Sequence, residues 1–570
     1  MLFSAAQAQI TETATEAVKN MGVGWNLGNT LDANSSSTSD INSPNYWGKQ
    51  GVDSETMWGQ PVTKPELFQM MKEAGFGAIR VPTTWYNHMT QDGTVDKAWM
   101  ARVHTVVDNV LDAGLYCILN VHHDTGAGSS WIKADETWYN NVHERYEKLW
   151  RQIAEEFKDY GDKLLFESYN EMLDTYNSWC FATFARTAGY NAAEATSAYN
   201  GINNYAQSFV DVVRSTGSNN STRNLVVNTY AASNGYGNWN VHLKDVLTYM
   251  NLPTDAATGH LIFEVHDYPP IVNTDSKGNV TNRSLTDIKG QVDGTIKVLK
   301  DNLIKKGAPV IIGEWGTNNV DAGAGKTDYD VRRELMFQFA DYYVKKMKEN
   351  GIATFYWMGM SDGVCRSMPA FSQPDLAETV VKAYHGSDFD GKYPTVEDAD
   401  EYVCFEGDKL IDWGNGITVP ADVFRSVGEG AQLELTFKQS GSNEDIQMMT
   451  ADWKDKVTFS VDGKSYAGDF NPMSHYGTPD GTEHVTCFTF NAATYANLAL
   501  KGVVVHGIGV RLQKAVLKGA KTDGVKDVTF SESVPMDVYD LAGRKSVGTL
   551  KSGINILRMS DGTVRKVVRR

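Results

Sequence analysis

Hydrophobic positions in the first two thirds of the chain fall into two alternating kinds of segment. Short, almost continuously apolar runs predict buried strands, and the stretches between them repeat apolar residues every three or four positions, as amphipathic helices do. The first helical stretch carries Leu67, Met70, Met71 and Ala74, and the next carries Val103, Val106, Val107 and Val110. Gly75 and Gly114 follow these stretches, where the helices should end.

Eight apolar runs lie between Met21 and about His385. They are GVGWNLG from Gly22, AIRVPTT from Ala78, YCILNVH from Tyr116, LLFESYNE from Leu164, NLVVNTY from Asn224, LIFEVHDY from Leu261, PVIIGEWG from Pro309 and TFYWMGM from Thr354. Apolar strands that alternate with helices indicate a parallel sheet covered on both faces. Eight such units predict an α/β fold, a closed (β/α)₈ TIM barrel over residues 21–390. An open doubly wound sheet is the alternative, disfavoured because no glycine-rich phosphate loop follows any strand.

The pattern changes after Pro394. Short alternating runs separated by Gly, Asp and Pro predict an antiparallel β-sandwich over residues 395–520. Residues 521–570 carry ten basic and six acidic side chains, and we expect a small β tail used for attachment or sorting. Residues 1–20 begin MLFSAAQAQI, and their Ala-Gln-Ala is similar to a signal-peptidase site. We interpret them as the remnant of an export leader; an alanine-rich start that arose by chance is the alternative.

Composition narrows the classes of partner. The 53 basic and 70 acidic residues give a net charge of −17, which argues against nucleic acid or an anionic membrane. Fourteen Trp and 26 Tyr are more aromatic residues than a core needs, and uncharged polysaccharide suits both features. No run of about 18 apolar residues predicts a membrane span. The five cysteines are scattered without a C-x-x-C pair, so we expect free thiols and no zinc site. We expect a monomer.

The predicted strands end in residues that can carry chemistry. The carboxyl ends of barrel strands surround one mouth. Glu171 and Glu314 follow two of these strands, and an ionised carboxylate leaving a buried strand needs a partner or a purpose. The other side chains at this end are Arg80, His122, His123, Asn170, His266, Tyr268 and Trp357. We predict one cleft in which the two glutamates act as a pair.

Two carboxyl groups across one cleft suit the cleavage of a glycosidic bond. The leaving oxygen needs a proton and the anomeric carbon gathers positive charge, so one carboxyl serves as acid and the other as nucleophile. At a separation of about 5–5.5 Å the second carboxylate attacks directly, and configuration is retained. We expect Arg80 to keep Glu314 ionised, Tyr268 to donate to Glu314, and Asn170 to bind the sugar 2-hydroxyl. His122 and His266 would fix hydroxyls or position the acid, and Trp357 would offer a flat face to a pyranose ring.

Seven motifs occur together in order: GVGWNLGNTLDA, AIRVPTTW, VHHD, YNEM, VHDYPP, IIGEWG and YWMGMSDG. Together they resemble glycoside hydrolase family 5, the cellulase family, over about residues 21–385. The resemblance implies that Glu171 is the acid/base and Glu314 the nucleophile. It places six further residues in the substrate-binding shell: Arg80, His122, Asn170, His266, Tyr268 and Trp357. WNLGNTLDA and ETMWGQP are similar to the endo-β-1,4-glucanase branch, which implies cellulose, mixed-linkage glucan or xyloglucan as substrate and no cofactor.

Three alternatives remain open at this point. A metal hydrolase would use the adjacent His122 and His123, but neighbouring residues at a strand end should point to opposite sides, so we expect no metal. A non-catalytic sugar-binding barrel should have lost one carboxylate, and both are present. An endo-β-mannanase differs in the recognition of one axial hydroxyl, which the sequence does not place.

The two C-terminal regions carry expectations of their own. The sandwich is a candidate carbohydrate-binding module with Trp413, Trp453 and Tyr476 as platforms, or a domain that only packs against the barrel. The tail pattern VYDLAGRK…GINILRM resembles C-terminal sorting segments of exported Bacteroidetes proteins. We therefore expect a secreted or cell-surface protein, associated with an outer membrane if the tail acts as an anchor.

Overall fold

The computed structural model describes most of the chain. The described residues are 10–35, 41–43, 46–126, 130–178, 190–237, 240–317, 326–396, 401–427, 430–441 and 443–519, with four strands between 535 and 569. The chain divides into two compact units, Met1–Lys518 and Gly519–Arg570.

Eight parallel strands close into a barrel, which confirms the predicted fold. The strands are β1 (Val23–Asn26), β2 (Ala78–Val81), β3 (Tyr116–Asn120), β4 (Leu164–Glu167), β5 (Leu225–Ser233), β6 (Leu261–Asp267), β7 (Val310–Trp315) and β8 (Ala353–Trp357). They follow the order β1-β8-β7-β6-β5-β4-β3-β2 around the barrel. Six of the eight observed strands lie within one predicted apolar run each. Strand β5 extends to Ser233, beyond the run from Asn224 to Tyr230, and β8 begins one residue before its run, at Ala353.

Helices cover the barrel and pack on the outer faces of its strands. They are α1 (Ala14–Met21), α2 (Pro65–Ala74), α3 (Lys97–Asp112), α4 (Glu136–Glu156), α5 (Ala192–Ser215), α6 (Asp245–Thr248), α7 (Leu285–Asn302), α8 (Asp328–Val331), α9 (Arg333–Glu349), α10 (Val364–Ser367) and α11 (Pro374–His385). Short 3₁₀ turns occupy Val52–Thr56, Tyr86–His88, Ser218–Ser221 and Ile304–Lys306, and a hairpin joins Val272–Thr274 to Val280–Asn282. Gly75 ends α2 with a φ of 108°, a left-handed conformation that glycine adopts without steric cost.

Helix α1 closes the floor of the barrel and begins within residues 1–20, the segment interpreted as a leader remnant, of which residues 1–9 lie outside the described residues. Its buried face carries Ala14, Ala17, Val18 and Met21, which pack with strand residues that point into the barrel interior. The Thr13 hydroxyl accepts from the Glu16 amide, and the Glu16 carboxylate accepts from the Thr13 amide at 2.8 Å. This capping box fixes the first turn. The folded domain therefore begins before residue 21.

The second region consists of two antiparallel sheets around one apolar core, as predicted. Its strands are β9 (Glu401–Ile411), β10 (Ile417–Val419), β11 (Gln432–Gln439), β12 (Asp445–Thr450), β13 (Thr458–Val461), β14 (Lys464–Ala467), β15 (Asp469–Phe470), β16 (Glu483–Thr489), β17 (Val503–Ile508) and β18 (Val510–Lys518). One sheet runs β9-β18-β11-β16-β13-β14 and the other β10-β17-β12-β15. Helices α12 (Ala421–Val427), α13 (Pro472–Tyr476) and α14 (Ala492–Lys501) complete this region.

The sandwich packs against loops at the catalytic end of the barrel. Lys64, just before α2, pairs with Glu406 of β9. The Ser367 hydroxyl at the end of α10 donates to the carbonyl of Val403, and Met368 packs on the sandwich core. The sandwich therefore adjoins the loops that follow β1 and β8.

The second unit contains a small antiparallel sheet, as expected for the tail. Its strands are β19 (Pro535–Tyr539), β20 (Lys545–Ser546), β21 (Gly553–Met559) and β22 (Val564–Arg569), in the order β20-β19-β21-β22. Among the residues that the structure describes, no helix is both long and apolar enough to cross a bilayer.

Candidate active site

Glu171 and Glu314 meet across the barrel mouth. Glu314 lies on β7, and Glu171 follows the end of β4. One oxygen of each carboxylate and one nitrogen of His266 all lie within 4.8 Å of one another. The Glu314 side chain is 7% exposed, whereas that of Glu171 is 25% exposed. One carboxylate is therefore desolvated and the other remains in contact with water.

Arg80 on β2 is the buried cation of the site. Its Nη1 donates to Glu314 Oε1 at 2.8 Å, and its Nε and Nη2 form a bidentate pair with Glu167 at 2.6 and 2.8 Å. Burial alone lowers the pKa of Arg80, but the carboxylates of Glu167, Glu264 and Glu314 outweigh it and raise that pKa well above its usual value. The guanidinium therefore stays charged and keeps a positive charge beside Glu314.

Two further hydrogen bonds fix the orientation of groups in the cleft. The Tyr268 hydroxyl donates to Glu314 Oε2 at 2.7 Å, so both oxygens of that carboxylate have a donor. Arg80 Nη2 donates to Asn170 Oδ1 at 2.8 Å, which leaves the Asn170 amide nitrogen as the group that can donate to a ligand. The Tyr268 contact agrees with the geometry expected from the sequence, whereas the contact between Arg80 and Asn170 was not predicted.

His266 lies between the two candidate catalytic carboxylates. Its Nδ1 is 2.8 Å from Glu171 Oε1 and 3.5 Å from Glu314 Oε2, and its Nε2 is 3.3 Å from Glu264 Oε1. Burial lowers the pKa of His266, but Glu314, Glu171 and Glu264 together raise it to about 10. The imidazolium is therefore a second cation, which separates and orients the two glutamates.

His122 and Trp357 form the other wall of the cleft. Their ring planes are parallel within 2°, with centroids 5.8 Å apart. The Asn120 amide donates to His122 Nδ1 at 3.0 Å, so the remaining proton of the ring is on Nε2. Burial, His123, Arg80 and His266 lower the pKa of His122 well below its usual value, so the ring is neutral. A neutral donor beside a flat indole face suits a sugar hydroxyl and its ring.

All eight predicted site residues converge on this cleft, and the sequence interpretation missed the buried groups beneath them. These groups are Asn26, Asn120, Glu167, Asn228 and Glu264, each completely buried. Asn228 and Glu264 lie inside their strands, and Asn26, Asn120 and Glu167 are the last residues of β1, β3 and β4. All five fall within apolar runs, where the pattern predicts packing residues. The available signal was a glutamate in the middle of an apolar run, in LLFES and LIFEV, because such a charge requires a cation.

The argument that His122 and His123 point apart was wrong. Strand β3 ends at Asn120, so the alternation of a strand no longer applies two residues later. The two rings lie 4.6 Å apart, and ligand atoms of Asp32, His122 and His123 lie within 4.8 Å of one another. By spacing, these three side chains could hold a divalent cation. At Glu171, His266 and Glu314, each glutamate is already paired with a cation, Glu314 with Arg80 and Glu171 with His266.

The three predicted platforms of the sandwich have different environments. Trp413 and Trp453 are each 48% exposed and flank His506. Tyr476 stacks on His484 and hydrogen-bonds with Thr486 at 2.7 Å, which makes it a packing residue. Two platforms therefore present their rings to solvent.

Known proteins with similar sequences and structures share this barrel. The sequence matches Cellulase (glycosyl hydrolase family 5) over residues 35–363, more than half of the chain. It is 34% identical to Endoglucanase A of Clostridium longisporum over 356 residues, which are 62% of this chain and 60% of that protein. The chain thus matches about three fifths of that relative's length.

Solved structures agree with the sequence match. A GH5-4 broad specificity endoglucanase from an uncultured bacterium superposes with a TM-score of 0.61 and 58% identity, over 67% of this chain and 98% of that one. A family 5 enzyme from Prevotella bryantii B14, solved with the xyloglucan tetradecasaccharide XXXGXXXG, has a TM-score of 0.55 and 40% identity, over 66% of this chain and all of that one. The barrel, the cleft and these matches agree: the chain belongs to glycosyl hydrolase family 5, the cellulase family.

Proposed function

We propose that this protein is a retaining endo-β-1,4-glucanase that cleaves the backbone of cellulose, mixed-linkage β-glucan or xyloglucan by double displacement. The observation that carries the proposal is the approach of Glu171 and Glu314 oxygens to within 4.8 Å of each other. This spacing suits direct attack by one carboxylate and is shorter than the separation of about 6.5–9.5 Å that an inverting pair needs to admit a water.

In the first displacement, Glu314 is the nucleophile. Its carboxylate oxygen attacks the anomeric carbon while the bond from that carbon to the glycosidic oxygen breaks, which leaves a glycosyl ester on Glu314. Glu171 donates its proton to the departing oxygen, so the leaving chain departs as an alcohol. Arg80 and Tyr268 hold both Glu314 oxygens, and their donors aim the nucleophile.

In the second displacement, Glu171 acts as a base. Its carboxylate accepts a proton from water, the resulting oxygen attacks the anomeric carbon, and the ester bond to Glu314 breaks. Asn170 presents its amide nitrogen to the sugar 2-hydroxyl, a contact that strengthens in the oxocarbenium-like transition state. The exposure of Glu171 allows water to reach it, and the burial of Glu314 protects the ester.

The substrate class is supported by the solved relatives. The structure with 58% identity is named a broad specificity endoglucanase, and the enzyme from Prevotella bryantii holds a xyloglucan oligosaccharide. Trp357, beside the neutral His122, offers a stacking face that a β-linked pyranose can cover. Hydrolysis of a panel of cellulose, mixed-linkage glucan, xyloglucan and mannan, with the product anomer followed by NMR, tests both substrate and stereochemistry.

The sharpest test of the roles is Glu171→Ala. The variant should lose about 10²–10⁴-fold on unactivated glucan because proton donation is lost. It should keep most of its glycosylation rate on an aryl glycoside with an activated leaving group, which needs no proton. Burst kinetics on both substrates measure the difference.

Glu314→Gln is the matched variant and should be inactive on both substrates because the nucleophile is gone. An equal loss on aryl and alkyl glycosides for Glu171→Ala would contradict the acid assignment. Formation of the inverted anomer by the parent enzyme would contradict the double displacement, and preference for mannan would make the enzyme an endo-β-mannanase.

We further propose that the protein is exported and that its tail sorts or attaches it at the cell surface. Support comes from the leader-like first residues and from the tail pattern, which carries ten basic side chains on an otherwise acidic chain. The tail also has a sheet of its own, β19 to β22.

A further inference from the structure

A cavity of about 480 Å³ lies where the barrel loops meet the sandwich. From the barrel it is lined by the segment that follows the 3₁₀ turn Val52–Thr56 and by Gly363. From the sandwich it is lined by β9, by the loop that leads into β10 and by Trp453. Ligand sites in proteins occupy about 300–1,000 Å³, so its size suits a bound ligand.

The cavity adjoins the catalytic mouth through aromatic and polar contacts. Trp58, 39% exposed, lies in the barrel loop that lines the cavity, and its ring is 5.3 Å from that of His123. His123 in turn lies beside His122, which faces Trp357 in the cleft. The Gly363 amide donates to Gln60 Oε1 at 2.9 Å and joins the loops after β1 and β8. These contacts connect the barrel loop that lines the cavity to the wall of the cleft.

Trp453 shows backbone strain at the cavity wall. Its φ is +59°, a left-handed conformation that is a genuine outlier for a bulky residue. The Trp453 amide donates to the carbonyl of Thr450 at 2.7 Å, so a tight turn presents the indole outward. A large apolar ring held in a strained turn and half exposed is typical of a functional position rather than of packing.

The chemistry of the lining suits an uncharged sugar. An exposed indole offers a stacking face, and the Gln60 amide nitrogen, Asn415 and Thr418 offer groups for hydrogen bonds. Lys409 also lines the cavity, and its ammonium can donate to a sugar hydroxyl. We propose that this cavity is a distal glycan-binding subsite that holds a β-linked glucan chain several sugar units from the cleaved bond. The proposal rests on the proposed function, and it makes the sandwich part of the substrate path rather than a separate module.

The test uses Trp453→Gly in the full-length chain. Glycine adopts a positive φ without strain, so the variant removes the indole and keeps the turn, and its melting temperature is measured alongside to check that the fold is intact. On an aryl β-cellobioside, which is too short to reach the cavity, kcat/KM should stay within about twofold of the parent. On soluble β-glucan, kcat/KM should fall about five- to tenfold, mostly through KM, as expected for one lost stacking contact.

A binding readout separates this subsite from turnover. In a Glu314→Gln background, Trp453→Gly should reduce retardation of the protein in a native gel that contains soluble β-glucan. Trp453→Phe keeps a ring and should restore most of the retardation. Tyr249→Ala removes an equally exposed aromatic ring from the barrel and should change neither readout.

Three outcomes would overturn the proposal: an equal loss on short and long substrates, no loss on the polymer, or a loss confined to insoluble cellulose, which would indicate a surface anchor. If the parent enzyme hydrolysed no glycan, the proposed function would fail. Retardation in the native gel would still show whether the cavity binds glycan.

Discussion

At the residue scale, the charges of the cleft explain why it is built with two cations. Four carboxylates surround Arg80 and His266: Glu167, Glu171, Glu264 and Glu314. Such a buried excess of negative charge is costly, and it is relieved when one carboxyl holds a proton. Burial and Glu167 raise the pKa of Glu264 to about 7, so Glu264 is a buried carboxyl beneath Glu171 and Glu314 that can hold a proton near neutral pH. Its Oε2 is buried without a hydrogen-bond partner in the described structure.

Glu264→Gln should therefore change how stability depends on pH. A carboxyl whose folded pKa is raised stabilises the fold below its unfolded pKa of about 4.5, and this stabilisation is lost as pH rises through about 7. Glutamine keeps the amide oxygen that can accept from Arg80 and cannot ionise. The variant should gain about 1–3 kcal/mol relative to the parent between pH 5 and pH 8. Urea unfolding at both pH values measures the gain.

Glu66→Gln, at an exposed position of α2, is the control and should show the same difference from the parent at both pH values. A pH-independent difference for Glu264→Gln would mean that Glu264 is ionised throughout this range.

The sequence predicted the residues at the mouth of the barrel but not the buried polar residues beneath them. Polar side chains just after apolar runs predict a shared site because barrel topology fixes where strands end. The same topology does not tell which polar residues within an apolar run point into the barrel. Glu167 and Glu264 were therefore missed, and the relative orientation of His122 and His123 was predicted wrongly because it depends on where β3 ends.

At the element scale, strand β7 needs glycine beside the nucleophile. A Cβ on Gly313 would lie 1.6 Å from Glu264 Oε1, so any side chain there must displace Glu264 from Arg80. The Gly313 carbonyl also accepts from the Asn26 amide at 2.9 Å. Glycine at this position lets strand β7 lie close to the Glu264 side chain, which contacts Arg80.

Gly313→Ala should cost about 1–3 kcal/mol of unfolding free energy, as overpacking does in a filled core. It should also lower kcat on soluble β-glucan, because a displaced Glu264 shifts Arg80 and the Glu314 that Arg80 holds. Chemical denaturation and steady-state kinetics measure the two effects.

Gly290→Ala is the control, because Gly290 lies in an exposed turn of α7 with open space around the new methyl group. It should add about 0.5–1 kcal/mol to the unfolding free energy and leave kcat unchanged. Equal behaviour of the two variants would contradict the close approach at Gly313.

The sequence predicted which segments are strands and which are helices, but it did not predict the role of helix α1. Period and length distinguish strands from helices along the barrel, and both helices with clear spacing, α2 and α3, occur where predicted. The start of α1 also carried a signal, because Thr13 and Glu16 have the spacing of a capping box. An alanine-rich segment near the start was instead interpreted as a leader. The packing of Ala17 and Val18 in the barrel floor places α1 in the folded domain, whereas the leader-like residues 1–9 lie outside the described residues.

At the scale of the whole molecule, the sequence did not predict how the sandwich packs against the barrel. The alternating runs predicted two antiparallel sheets, but which barrel loops they contact depends on surface complementarity spread over distant residues. The structure places β9 beside the loops after β1 and β8. This arrangement brings Trp453 to the same cavity as the barrel loop that carries Trp58, whereas composition alone left the sandwich either a binding module or a packing domain.

Removal of the tail should change where the enzyme is located without changing its catalytic activity. Its four strands pair with one another, and in the described residues the barrel and both sandwich sheets are formed by strands that end at Lys518 or earlier. Truncation after residue 519 should therefore leave kcat, KM and the melting temperature of the purified enzyme unchanged. In a host that exports proteins with such tails, the truncated enzyme should no longer be retained at the cell surface.

Activity in fractionated cells and medium measures this retention. The matched variant keeps the full chain and reverses four tail charges, changing Arg565, Lys566, Arg569 and Arg570 to Glu. A tail that only sorts the protein predicts loss of surface activity with total activity preserved, whereas a drop in melting temperature on truncation would show that it stabilises the fold.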